Sequence, residues 1–397
     1  MTGVSTLGQA LRQIENIKLQ QGSFDNLSFQ LTTGKKTRSF TGLGTQTLTS
    51  TRSRATLASL KIFTNNIDKA DTRLQLMLNS VQEFQAQTGN LSGALVNFIQ
   101  EGTHQKGTQV LYDDPATTAI EQTVVGMTSE KVDNDLQSVT DISENLYDFL
   151  VGLLNTKDGD RYIFGGAETL TQPLNDSGTL DSAMNTLITN WKNGTITTDE
   201  LIADLTDSTA LSGNADAITD TIIGYSPSLS SGNAGKVFVR VDENAELDFT
   251  TLANDPSFRD IIVALSFLKN DNLPPIADVY ENGVYPATPD KQGAPGTTVD
   301  EMKTNFYKVF NRVVQMVNGA IDNIDSTRFR LEGVRAQMQE TAQEHENEKT
   351  LMLNVISDVE DVDVNEVAVR INKLQVQLEA SYRVTALAGE LSLVNFI

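Results

Sequence analysis

The chain contains no cysteine in 397 residues, which removes disulfides, thiol nucleophiles and cysteine metal sites from consideration. Only two histidines occur, His104 and His345, so histidine-based triads and zinc centres have little material. Basic residues are also scarce: 30 Lys and Arg stand against 52 Asp and Glu, a formal charge of -22. A generic nucleic-acid or anionic-membrane partner is therefore disfavoured, because either surface repels such a chain. Aromatics make up 6% and all apolar residues 39%. That is lean for a compact enzyme yet too apolar for a disordered chain, and it suits long helices sharing narrow seams. No apolar run approaches the ~20 residues of a membrane span, and Met1 to Ala10 has neither a cationic cluster nor an apolar core. The expectation is no membrane insertion, and a chain that is soluble or leaves the cell without a cleaved leader. No Walker-type loop or G-x-G-x-x-G precedes a helix, so no phosphate-bearing cofactor is expected.

What is present is periodicity. From Leu60 an apolar residue recurs at alternating spacings of three and four through Phe63, Ile67, Ala70, Leu74, Met77, Val81 and Phe84, and the pattern resumes at Leu91, Leu95 and Phe98 after a polar step at Thr88. Such spacing lays one stripe along a helix, with the period of a coiled coil. Similar stripes run through Leu7, Leu11, Ile14, Ile17, Phe24, Leu27 and Leu31, and through Val132, Leu136, Val139, Ile142, Leu146, Phe149 and Leu153. The C-terminal part adds Phe306, Val309, Val313, Met316 and Ala320, then Leu331, Val334 and Met338, then Val367, Ile371, Leu374 and Leu378. A narrow seam cannot bury itself, so each helix requires a partner, in the same chain or in a neighbour. An antiparallel bundle and a polymer-forming bundle both satisfy that requirement.

At this length one hydrophobic core gives way to two or three domains. Between Gly165 and about Thr298 the texture turns to Gly, Asn, Asp, Ser and Thr with several prolines, and the helical period fades. Charge follows the same division: residues 1–60 carry 7 basic against 2 acidic side chains, residues 166–300 carry 6 against 20. The expected architecture is mainly α, a long coiled-coil-like bundle built from N- and C-terminal segments, with an inserted outer α+β or mostly β domain. The boundaries read as a terminal helical core (1–55 and 350–397), a helical bundle (56–165 and 300–349) and an inserted surface domain (166–299). Within the insertion, Lys236 to Val241 reads as a strand and Ile261 to Leu268 as a buried helix or strand, Asn272 to Pro295 reads as a return linker, and Trp191 is expected in a small core.

The sequence ends Leu391, Ser392, Leu393, Val394, Asn395, Phe396, Ile397. Leaving the five apolar side chains in water forfeits about 1.5–3 kcal/mol each, which asks for a cover: the chain itself, a neighbouring subunit or an export chaperone.

The chemical readings are weak. His345-Glu346 opens like the zinc motif H-E-x-x-H, but Lys349 stands where the second histidine belongs, and a solvated helix face is expected. The acids Asp358, Glu360, Asp361, Asp363 and Glu366 lack the glycine and register of a calcium loop. A capped helix restart before Val367 explains them better. The cations Lys35, Lys36, Arg38, Arg52 and Arg54 lie in a Thr- and Gly-rich stretch without interleaved aromatics beyond Phe40, which argues against a nucleic-acid tail. They suit contact with acidic neighbours in an assembly, or a solvated loop. No catalytic residue, metal site or cofactor is expected.

Several segments share a resemblance. In Ile356 to Ile397 an acidic D-x-E-D-x-D run is followed by Leu374, Gln375, Gln377, Leu378, Ala380, Ser381 and Tyr382, and the chain closes on Ser392, Leu393, Asn395 and Phe396. This resembles the end of the bacterial flagellin superfamily, including its hook-filament junction members, the hook-associated proteins. Arg161, Tyr162, Ile163, Phe164, Gly165 and Gly166 resemble the strand by which the junction members leave their helical core for an outer domain. Leu31, Thr32, Thr33, Gly34 and Lys35 resemble the family's L-(S/A)-(S/T)-G-(K/R) turn. Where filament flagellins continue D-D-A-A-G, this chain has Phe40, Thr41, Gly42, Leu43 and Gly44. The resemblance spans roughly residues 1–166 and 300–397; the insertion matches nothing.

The resemblance implies a non-enzymatic structural subunit of the extracellular flagellum, joining hook to filament, with a filament flagellin as the alternative. It further implies paired terminal helices forming a polymer core, with 166–299 facing outward. The implied partners are copies of the same chain, neighbouring hook-associated proteins and flagellin, an export chaperone and the flagellar type III export apparatus. The assembly candidates are Leu7, Leu11, Ile14, Ile17, Leu27, Leu31, Ile371, Leu374, Leu378, Leu391, Leu393 and Phe396. A more distant alternative is an adhesin or enzyme housed in the insertion.

Overall fold

The computed structural model describes residues 3–104, 110–112, 123–125, 129–175, 177–206, 217–273, 294–295 and 299–394. In chain order the elements are α1 (Gly3–Thr33), a 3-10 segment (Phe40–Gln46), α2 (Thr47–His104), β1 (Val110–Tyr112), β2 (Thr123–Val125), α3 (Ser129–Leu154), β3 (Lys157–Asp158), β4 (Arg161–Tyr162), α4 (Thr179–Lys192), α5 (Thr198–Thr206), α6 (Asp220–Ile223), α7 (Pro227–Ser230), β5 (Phe238–Arg240), β6 (Glu246–Asp248), α8 (Pro256–Leu268), α9 (Val299–Glu360) and α10 (Val364–Val394). The fold is mainly α, as the periodicity requires. Among the described residues strands occur only as antiparallel two-stranded pairs, β1–β2, β3–β4 and β5–β6. No described helix is long and apolar enough to cross a membrane.

Internal contacts divide the chain into two units, a terminal unit of residues 1–65 and 340–397 and a central unit of residues 66–339. Both divisions fall inside helices, α2 and α9. Residues 166–299 are not divided off as a third unit.

The central unit holds most of the core. Ile67, Leu74, Met77, Val81, Phe84, Leu91 and Leu95 of α2 are buried along the predicted stripe. The polar step at Thr88 is buried too, its hydroxyl donating to the Phe84 carbonyl at 2.7 Å. Returning its own hydrogen bond to the helix lets a threonine occupy a core position without an orphaned donor. In this unit α9 runs antiparallel to α2, since Phe98 meets Phe306 and Phe310 whereas Arg335 bonds Asp71 at 2.8 Å. Phe84 and Phe164 both meet Phe258 of α8, and Phe267 of α8 meets Phe310. Ring edges and faces thus join α2, α8 and α9, the geometry aromatic quadrupoles prefer.

Two expectations fail here. The stripe read through Ile142 and Phe149 is wrong for the middle of α3: both are exposed, while Leu136, Val139, Ser143, Leu146, Tyr147, Leu150 and Leu154 are buried. Polar Ser143 conceals the true face from a reading based on hydropathy. The mostly β option for the insertion also fails, because its described part is chiefly α4 to α8 with one β5–β6 hairpin. Ile261 to Leu268 belong to helix α8, started by Pro256 at its first turn, where a missing N–H costs nothing. Helix α5 opens with a capping box: the Thr197 hydroxyl accepts from the Glu200 N–H at 3.2 Å, and the Glu200 carboxylate accepts from the Thr197 N–H at 2.7 Å. Trp191 is fully buried in α4 and donates its indole N–H to the Thr198 hydroxyl at 3.1 Å. Of the strand expected over Lys236 to Val241, Phe238–Arg240 forms β5. Most of the run from Asn272 to Pro295 lies outside the described residues.

The predicted exit strand is shorter than expected. Only Arg161 and Tyr162 pair, with Lys157 and Asp158, and the chain then bends. Ile163 and Phe164 turn into the core, Gly165 bridges Leu252, and Gly166 adopts φ +64°. At Gly166 a Cβ would lie 2.7 Å from the Gly235 carbonyl oxygen, so only glycine fits both the dihedral and the space.

Candidate assembly interface

The terminal unit is built around two turns that interlock. Helix α1 ends at Gly34, whose φ of +72° is the left-handed conformation that glycine supplies at helix C-termini. Helix α9 ends at Glu360 and α10 begins at Val364 with no glycine or proline between them. Ends of helices leave backbone groups without partners, and here each turn satisfies the other. The Lys36 N–H donates to the Glu360 carbonyl at 2.7 Å, and the Val362 N–H donates to the Gly34 carbonyl at 2.9 Å. Lys36 Nζ donates to the carbonyls of Asp358 and Val359, the negative end of α9.

Glu360 sits at the centre. Its side chain is 8% exposed and is approached only by residues from the N-terminal side of the chain among its described side-chain partners. Arg54 grips it bidentately, Nε to Oε1 at 2.8 Å and Nη2 to Oε2 at 2.6 Å. Ser50 Oγ donates to Oε1 at 2.6 Å, and Lys35 Nζ reaches Oε2 at 3.4 Å while also pairing with Asp361. The Arg54 bonds, followed by those from Ser50 and Lys35, outweigh the cost of burial and hold the Glu360 carboxyl down at about 2.

The acidic run therefore divides in two. Asp363 caps α10, its Oδ1 accepting from the N–H groups of Asn365 at 2.8 Å and Glu366 at 3.3 Å, as expected of a capped restart. Glu360 and Asp361 instead bind the basic stretch. The two charge runs were legible separately, and their opposite signs beside the two turns were the signal that they pair. Expectations for His345 need correction: it is 4% exposed and stacks on Phe63 at 5.8 Å between centroids, so it lies in the core of this unit and not on a solvated face. Among the described residues no group of His, Asp and Glu is arranged to hold a metal ion.

Helices α1 and α10 pack antiparallel, with Gln21 Nε2 donating to Tyr382 Oη at 2.9 Å and Ser381 Oγ donating to Gln20 Oε1 at 3.3 Å. Of the candidate residues, Ile17, Leu27, Ile371 and Leu374 are half-buried and Leu378 is buried. They lie on the face each helix turns inward. Leu11, Ile14 and Leu31 of the same stripe are exposed, and so are Leu19, Val369 and Val376 on the opposite faces. The side chains of Leu7, Leu391 and Leu393, and Phe396 altogether, lie outside the described residues.

Apolar residues thus occupy both faces of these helices, and a helix pair can hide only one stripe of each. Fifteen of the twenty large apolar side chains that stand exposed among the described residues belong to the terminal unit. They include Leu19 at 65%, Val369 at 68% and Val376 at 66%, which the single-stripe reading passed over. The seven-residue spacing from Val369 to Val376 was the available signal. The same unit buries only Leu60, Ile356, Val359, Val367 and Leu378 among described apolar side chains. It exposes most where it buries least.

Residues 314–397 match the family model described as the bacterial flagellin C-terminal helical region. That stretch takes in the latter part of α9 and all of α10. A solved structure described as a flagellar hook-associated protein from Vibrio parahaemolyticus is similar at 11% identity and a TM-score of 0.42, covering 79% of this chain and 97% of that one. No curated protein sequence matches the chain.

Proposed function

We propose that this chain is a structural subunit of the extracellular bacterial flagellum that assembles with neighbouring subunits through its N- and C-terminal helices. The observation that carries the reading is that the segment matching the flagellin C-terminal helical region is the one whose outward face is bare. Burying one such side chain fully contributes about 1.5–3 kcal/mol, so a few per interface suffice to drive association. The contact is between unlike surfaces, α1 and α10 presenting different faces, and unlike contacts that do not close into a ring generate a helical assembly. Within the flagellum we assign the chain to the junction of hook and filament, on the Tyr162 to Gly166 motif and the absence of the filament-type sequence after Lys35. Residues 166–299 then face outward, and the partners are further copies, adjoining hook-associated proteins and flagellin. A chaperone and the type III export apparatus deliver it. The role is structural, with no catalytic residue assigned.

Immunogold labelling of intact flagella tests the position. A single band near the cell supports the junction; label along the whole length makes the chain a filament subunit. Deleting Leu391 to Ile397 should abolish incorporation while leaving the central unit folded, and normal assembly of the truncated chain would overturn the interface assignment.

A further inference from the structure

We propose that the interlocked turns form a latch, with Glu360 as its bolt, which makes the pairing of α1 with α10 all-or-none, so that both terminal helices dock or release together. Three observations converge on it. First, the break between α9 and α10 contains no helix-breaking residue, and the backbone groups it exposes are satisfied by Gly34 and Lys36 from the linker between α1 and α2. The break and the linker are therefore conditions of each other. Second, the buried Glu360 carboxylate draws side-chain donors from Lys35, Ser50 and Arg54 together. Release of the N-terminal side forfeits this whole set of charge-assisted hydrogen bonds at once, more than the loss of a single exposed ion pair. Third, α1 and α10 run along each other but bury few apolar side chains fully. Among the described residues only Val367 and Leu378 of α10 are buried apolar side chains, and helices in proteins draw most of their stability from such packing, so the latch carries much of what holds the pair. The latch holds whatever the chain assembles with, so its failure and that of the flagellar reading are separable.

Hydrogen exchange followed by mass spectrometry on the full-length chain tests it, comparing the parent with Glu360→Gln, Arg54→Lys and Asp363→Ala. In E360Q, peptides covering residues 11–33 and 364–387 should lose protection together, by about tenfold or more, while residues 66–104 and 299–339 keep theirs. R54K, which keeps the charge but loses the bidentate grip, should loosen the same two segments by a smaller common factor, and it serves as the readout if E360Q also unsettles the central unit. D363A removes only the α10 cap and should fray the first turn of that helix, residues 364–367, without releasing either helix. Unchanged protection in both E360Q and R54K, or release of one helix while the other stays protected, would overturn the latch.

Discussion

Gly166 and Gly34 both adopt left-handed dihedrals, at +64° and +72°, yet substituting them should have different consequences. Either glycine replaced by alanine takes on about 1–2 kcal/mol of backbone strain. At Gly34 that is the whole intrinsic effect, because nothing lies within 4 Å of the added Cβ. At Gly166 the Cβ would stand 2.7 Å from the Gly235 carbonyl oxygen and 3.0 Å from Leu252 Cδ2. That carbonyl accepts from the Ala167 N–H at 2.8 Å, and Leu252 is held by its bridge to Gly165. Relieving the clash therefore sacrifices a backbone hydrogen bond, a further ~1 kcal/mol, and G166A should lose roughly 2–4 kcal/mol in all. Trp191, the chain's single tryptophan, is buried in the same unit as Gly166, so its fluorescence in urea titrations reports that unit. G166A should move the Trp191 midpoint by the full amount, while G34A leaves it in place and weakens only the far-ultraviolet signal of the terminal helices. A Trp191 transition within about 0.5 kcal/mol of the parent in G166A, or equal shifts in both variants, would refute the reasoning.

Acidification should act in opposite senses on Glu360 and on the buried Asp255 and Asp260. Glu360 is held down at about 2 from an ordinary 4.5, so its contribution is present above the unfolded value and is lost as pH falls from about 4.5 towards 2; terminal helicity should decline across that window, and an E360Q profile as steep as the parent's would contradict the assignment. Asp255 and Asp260 of the central unit are raised by burial, so protonation favours their folded forms and the Trp191 transition should not weaken in parallel through them. In the aromatic core, Phe310 is fully buried with ring centroids of Phe306 at 4.5 Å and Phe98 at 5.3 Å. Phe310→Ala should cost about 3–5 kcal/mol in the same urea assay, and a loss below about 1 kcal/mol would show that the cavity collapses.

Periodicity alone determined the long helices, since an apolar residue every three or four positions is a local property that any helix converts into a stripe. The stripe from Leu60 to Phe98 is legible for that reason, as are the capping of α10 by Asp363 and the left-handed turn at Gly34, each set by a residue and its immediate neighbours. Tertiary structure decided what local pattern cannot express. Ile142 and Phe149 fit the apolar pattern of α3 as well as Leu146 does, and only the packing of α8 against α3 selects the face that holds Ser143 and Tyr147. His345 has the polar neighbours of a surface position, and its burial depends on Phe63 arriving from a distant helix. Arg54 and Glu360 are separated by 306 residues. Nothing local to either specifies the other, because a charge attracts any opposite charge and only the folded backbone brings one particular pair within reach.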